Sequence, residues 1–232
     1  MTTTPFRAGF LLFPRLTQLD MTGPFEVLRN LPGVELHLIA KTREAVPAEG
    51  GLAIVPTATY DDCPALDLIC VPGGTGVNAL LVDRETIDFL RRVSATVRYV
   101  TSVCTGALVL GAAGLLRGKR ATTHWMSRDM LREFGAEPVD ARVVVDGNLI
   151  TGGGVTAGID FGLTVVAEVA GPRVAEAIQL GIEYAPAPPF NCGSPDTADP
   201  ALVKLVRERA AGRQDERIAR VREAAAAMDA RW

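Results

Sequence analysis

A chain of 232 residues with a formal charge of −3 is long enough for a core that buries roughly 70–75% of the surface its unfolded form exposes, so neither disulfides nor a metal are needed to staple it. That acidic balance excludes nucleic acid as the main partner, because phosphate binding wants a concentrated basic surface. The longest early apolar stretch, Ala8–Phe13, is cut by Pro14 and Arg15, far short of the roughly 20 residues of a membrane helix and wrongly flanked for a secretory signal, which places the protein in the cytoplasm.

In chain order, a strand over Arg7–Phe13 is followed by a helix over Pro24–Arg29, with Pro24 suited to the first helical position and Glu26 near the positive helix end. Strands follow at Val34–Ile39 and Leu66–Val71. The second reads L-D-L-I-C-V, nearly continuous apolar, as a strand buried on both faces should. A helix over Arg84–Val93 leads to a strand at Tyr99–Val103 and a helix at Thr105–Ala113. After a helix at Met126–Phe134, the runs Val143–Asp146 and Leu149–Thr151 are joined by Asp146-Gly147, which fits a short hairpin. Helices at Thr156–Ala170 and Pro172–Ile182, the proline-rich loop Ala185–Pro200 and a final helix over about 199–228 complete the chain. That helix carries Leu202, Leu205, Val206, Ile218, Val221, Ala225 and Met228 at helical spacing, and its mixed charges predict a solvated outer face. The alternation predicts an α/β fold, a mostly parallel sheet covered by helices, in a single domain over 1–232.

The chemistry concentrates at Arg98-Y-V-T-S-V-C-T-G-A-L-V-L-G, where a β-rich run ends at Cys104 and helix-compatible residues begin at once. Such a strand-to-helix step lifts the turn residue above the carboxyl ends of the strands, and Gly106 leaves room for a sharp elbow. A cysteine at a helix N-terminus is expected to favour thiolate, the nucleophilic form; the competing reading is a buried structural thiol. Asp20, after the first strand, is the candidate proton partner, with a second reading as a cap on the turn into the Pro24 helix. Gly73 and Gly74 follow a strand and can aim backbone N–H groups at the same crevice; their likeness to a dinucleotide fingerprint is weak, because no acidic residue ends a following strand. Gly152-Gly153-Gly154 can serve similarly or simply turn the chain. His124 is read first as a hydrogen-bonded structural histidine, with a place at the border of the pocket as the second reading. Cys70 belongs to the core, and Cys63 and Cys192 carry no comparable signal. With two histidines and no C-x-x-C pair, the sequence offers no zinc-like spacing.

The chain resembles the PfpI-like cysteine superfamily, in particular its isocyanide-hydrating branch. The segments that carry the likeness are G-F-L-L-F-P from Gly9, Q-L-D-M-T-G-P from Gln18, P-A-L-D-L-I-C-V-P-G-G-T-G-V from Pro64, Y-V-T-S-V-C-T-G-A-L-V-L-G from Tyr99, G-K-R-A-T-T-H-W from Gly118, D-G-N-L-I-T-G-G-G-V-T-A-G-I-D-F from Asp146 and E-Y-A-P-A-P-P-F-N from Glu183. Related proteases and deglycases tend to have glutamate where Asp20 stands and histidine where Thr105 stands. The resemblance implies a flavodoxin-like fold with helices on both faces of the sheet, a homodimer, and hydration of an isocyanide to an N-substituted formamide without a cofactor. It assigns Cys104 as nucleophile, Asp20 as general acid and base and Thr105 as a site residue, and extends to Gly73 and Gly74 as substrate-binding positions. Two rival functions remain at this point: another cysteine activity of the superfamily, on aldehyde-derived adducts or peptides, and a ligand- or redox-sensing module built on an oxidisable thiolate.

Overall fold

The structure, a computed structural model, describes residues 5–229. The first half of the chain forms β1 (Phe6–Leu11), α1 (Gln18–Leu28), β2 (Val34–Ala40), β3 (Val46–Pro47), a 3-10 turn at Glu49–Gly51, β4 (Ala53–Ile54), β5 (Ala58–Thr59), β6 (Leu68–Val71), α2 (Val77–Leu80), α3 (Arg84–Ser94), β7 (Tyr99–Val103) and α4 (Gly106–Ala112). The second half adds β8 (Arg120–Ala121), a 3-10 segment at Trp125–Phe134, β9 (Glu137–Pro138), β10 (Val143–Asp146), β11 (Leu149–Gly152), α5 (Ala157–Ala170), α6 (Pro172–Gly181) and α7 (Pro200–Asp229).

Seven strands form one sheet in the order β10-β11-β7-β6-β1-β2-β5. Every neighbouring pair is parallel except the β10–β11 hairpin, whose turn glycine, Gly147, takes φ 63°. The central strands β6 and β7 are buried at every residue, which accounts for their unbroken apolar sequence. Helices cover both faces, because one group (α1, α5, α6) and a second (α2, α3, α4, α7 and the 3-10 segment) each pack internally, and β7 touches α5 of the first and α4 of the second. This is the expected flavodoxin-like arrangement. β1 lies between β6 and β2, so the connections leaving β1 and β6 part on either side of a crevice at their carboxyl ends, the place where open α/β sheets bind ligands.

The first helix departs from the sequence expectation. It begins at Gln18, and Pro24 stands inside it rather than at its start. An internal proline removes one helical hydrogen bond, a cost offset by packing. A Cβ on Gly158 would fall 3.0 Å from Pro24 Cδ, and one on Gly162 would fall 2.9 Å from Val27 Cβ, so α1 and α5 meet closely only because α5 offers two glycines. The consequence is functional: Asp20 moves from a turn into the first helical turn, fully buried, and its reading as a cap on the turn into the helix is lost. Gly162→Leu is expected to separate these helices and cost about 1–3 kcal/mol, read as a lower midpoint in urea unfolding.

The expected helix at Met126–Phe134 is wound as a 3-10 segment between His124, whose Nδ1 accepts the Met126 N–H at 3.3 Å, and Gly135 in the left-handed conformation. On α7, Val221, Ala225 and Met228 are buried as their spacing predicts, whereas Leu202 and Leu205 are exposed.

Candidate active site

Cys104 follows β7 directly and holds φ 55°, a left-handed conformation that costs a non-glycine residue strain unless its surroundings impose it. Here they do. The Cys104 N–H donates to the carbonyls of Gly152 and Gly153 at 3.0 and 2.8 Å, and Thr123 Oγ1 donates to the Cys104 carbonyl at 2.6 Å. Gly106 then opens α4 hard against the end of β6, where a Cβ would drive into the Val71 carbonyl oxygen. The sharp elbow expected from the sequence therefore forms, and Gly106 is its enabling residue.

Asp20 meets this elbow from α1. Its Oδ2 accepts the Gly73 N–H at 2.9 Å. Its Oδ1 is buried without a partner of regular hydrogen-bond geometry, and the Cys104 thiol is the neighbouring donor that favours the ionised carboxyl. Burial dominates all the same and raises the Asp20 pKa from 3.8 to about 7. The Cys104 thiol is pushed well above its ordinary value, first by burial and then by negative charge on Asp20, while the Val155 and Thr105 N–H groups pull it back. The thiolate preference expected from a helix N-terminus is thus outweighed by desolvation. Two buried acids in contact cannot both ionise readily, so their titrations are coupled.

Thr105, next to Cys104, accepts the Gly74 N–H on Oγ1 at 3.1 Å. Gly73 and Gly74 stand in the crevice, but the described hydrogen bonds engage both N–H groups within the protein, one on Asp20 and one on Thr105. Neither position admits a side chain. A Cβ on Gly73 would lie 2.7 Å from Asp20 Oδ2, and Gly74 takes φ 136° with a Cβ position 2.6 Å from the Thr17 nitrogen. His124 borders the elbow through Gly154 and is kept neutral, its pKa lowered to about 4 by burial and then by Arg217, Arg213 and Arg128. Cys70 is core, its thiol raised to about 12 by burial; Cys63 is half-buried and Cys192 exposed.

Sequence reasoning missed Arg217. Expected on a solvated face of α7, it is only 4% exposed and donates to the Gly74 carbonyl at 3.2 Å. Its position seven residues after buried Ala210 and four before buried Val221 placed it on the inner stripe, a signal the apolar residues alone obscured.

A cavity of about 540 Å³ lies beside Phe13, Lys41, Tyr60 and Asn78 and does not reach Cys104. A second, of about 480 Å³, is lined by Thr123, His124, Gly153, Gly154 and Val155, which include the groups that hold the elbow. Neither cavity is lined by Cys104 or Asp20, but the walls of the second include Gly153 and Thr123, which hydrogen-bond the Cys104 backbone.

These features define an α/β protein with a cysteine elbow facing a buried carboxyl group. The chain belongs to the DJ-1/PfpI family, whose model matches residues 6–168. A Pseudomonas putida protein named Isonitrile hydratase is 60% identical over 203 residues, covering 88% of this chain and 89% of its own length. The crystal structure of a THiJ/PfpI family protein from Pseudomonas syringae has a TM-score of 0.92 at 45% identity, covering 94% of this chain and 91% of that one. The HTH-type transcriptional regulator GbdR of Pseudomonas aeruginosa is 34% identical over 182 residues, and the match spans 49% of that longer protein.

Proposed function

We propose that this chain is an isocyanide hydratase that converts an isocyanide and water to an N-substituted formamide, with Cys104 as nucleophile and Asp20 as general acid and base. One observation carries the reading: the Cys104–Asp20 pair occupies the crevice of a chain 60% identical, along nearly its full length, to a relative named Isonitrile hydratase. The terminal isocyanide carbon accepts a soft nucleophile, and a thiolate is soft.

In the first step the Cys104 sulfur bonds to that carbon while the shared proton passes from Asp20 to the same carbon, giving a thioimidate and an Asp20 carboxylate. Water then adds its oxygen to the carbon, with the carboxylate taking a proton from water and passing it to nitrogen. Collapse of the tetrahedral adduct forms the formamide carbonyl, expels the thiolate and returns the hydroxyl proton to Asp20. One carboxyl group with a pKa of about 7 serves both directions of transfer near neutral pH. Thr105, Gly73 and Gly74 act by holding these two groups in place, and the homodimer and the cytoplasmic location belong to the same proposal. Among the described residues no helix is long and apolar enough to cross a membrane.

The test is mass spectrometry of the products after mixing the pure protein with simple alkyl and aryl isocyanides beside a Cys104→Ala control. Formamide from the unaltered protein alone supports the reading. Absence of formamide across the panel, with Cys104 still alkylated by iodoacetamide, removes it.

A further inference from the structure

A guanidinium withdrawn from water is costly unless an anion balances it. Arg217 is such a group, and its hydrogen-bond acceptors among the described residues are all neutral: Asn78 Oδ1 at 3.0 Å, the Gly74 carbonyl at 3.2 Å and Ser127 Oγ at 3.4 Å. None of them is a carboxylate. The buried negative charge nearby is the one that the Cys104–Asp20 pair carries when it holds a single proton. The Gly74 peptide is the physical link, because its carbonyl accepts from Arg217 and its residue's N–H donates to Thr105 at 3.1 Å, next to the nucleophile. One residue earlier, the Gly73 N–H donates to Asp20.

We propose that Arg217 is a positioning residue for the Cys104–Asp20 pair, supplying the positive charge that balances the pair's single negative charge and fixing, through Gly74, the peptide against which Thr105 rests. Burial is the largest influence on the guanidinium and lowers its pKa; Cys104 is the strongest influence that raises it, with Glu49 and Glu216 adding smaller ones. The helix that carries Arg217 lies beyond residues 6–168, the part that matches the family model. Arg217 therefore adds to the elbow a cation from outside the family-defining segment. The inference rests on the assignment of the pair and not on the identity of the substrate.

Other charges also face the pair and its arginine: Glu49 from the turn after β3, Arg213 and Glu216 from α7, and His124 and Arg128 at the 3-10 segment. Of the arginines, Arg213 is exposed and Arg128 half-buried, whereas Arg217 is buried, so water screens Arg217 least.

The pH dependence of Cys104 alkylation by iodoacetamide, resolved by peptide mass mapping, tests the assignment without any isocyanide. Arg217→Gln keeps hydrogen-bonding capacity and removes the charge. Its alkylation midpoint is expected to rise by about one to two pH units, with Cys104 alkylation at pH 7 slowed about tenfold or more. Arg217→Lys restores the cation without the planar fork, and its midpoint is expected to stay within about half a unit of the unaltered protein's. A folded Arg217→Gln protein, verified by circular dichroism, with an unshifted midpoint overturns the proposal. If Arg217→Gln does not fold, Arg217→Lys decides: a midpoint near the original supports the charge role, and one raised by a full unit overturns it. Because alkylation needs no turnover, a failure here is distinguishable from a failure of the hydratase reading.

Discussion

Asp20→Asn is expected to lower formamide production by roughly 10²–10⁴-fold and at the same time to raise the melting temperature above pH 7. The rate loss follows from removing the transferable proton while keeping the shape, since the amide can still accept the Gly73 N–H that Asp20 Oδ2 accepts at 2.9 Å. The gain in stability follows from linkage. Burial holds the folded Asp20 pKa at about 7, against 3.8 for the ordinary carboxyl. Between those values the native state keeps a proton that the unfolded chain has released, so stability falls as pH rises through this window. Above pH 7 the full cost of the buried charge is present, up to about 4 kcal/mol for a shift of this size. Asparagine is neutral throughout and escapes that cost. The check is to melt both proteins at pH 4 and pH 8. A variant that gains at pH 8 and not at pH 4 agrees with a carboxyl group held protonated by burial. An equal difference at both values shows that Asp20 contributes no proton linkage, and the acid step assigned to it then fails.

The same buried proton explains why the elbow tolerates a thiol that burial and Asp20 push upward. A shared proton keeps the pair at one negative charge, and in the proposed first step that charge passes from the sulfur to Asp20 as the proton moves to the isocyanide carbon. Activity should therefore fall below about pH 7, where both acids are protonated.

What the sequence made legible was whatever depends on local pattern. The unbroken apolar runs at Leu68–Val71 and Tyr99–Val103 are central strands because burial on both faces demands such composition. Cys104 and Asp20 could be brought together from sequence because both follow strands whose carboxyl ends share one crevice. The start of α1 could not be read, since Pro24 looks like a helix boundary in isolation. Its place inside the helix depends on Gly158 and Gly162, which lie far away in the chain. The two-residue strands β3, β4, β5 and β9 escaped notice for a related reason: two residues hold no periodicity, and only their partners define them. The direction of the Cys104 shift was misjudged because a helix N-terminus is visible in sequence and the burial of its neighbours is not.

Gly106→Ala is expected to cost about 3 kcal/mol or more and to abolish activity with it. Its Cβ would run into the Val71 carbonyl oxygen and lie 2.7 Å from that of Pro72. These are backbone atoms at the end of β6, which pairs with β1 on one side and β7 on the other, so neither can retreat without breaking the centre of the sheet. The effect of a methyl group at Gly73 differs in kind. It would meet Asp20 Oδ2 at 2.7 Å and the Thr105 nitrogen at 2.6 Å, so Gly73→Ala disturbs the reacting pair more than the sheet. Gly181 supplies the control: it closes α6 with nothing within 4 Å of its Cβ position, and alanine there should be neutral or slightly stabilising. Urea unfolding of the three variants separates the cases. A Gly106→Ala protein that unfolds at the original midpoint and keeps its activity means that the elbow does not depend on the close passage of α4 over β6, and the geometry assigned to Cys104 loses its foundation.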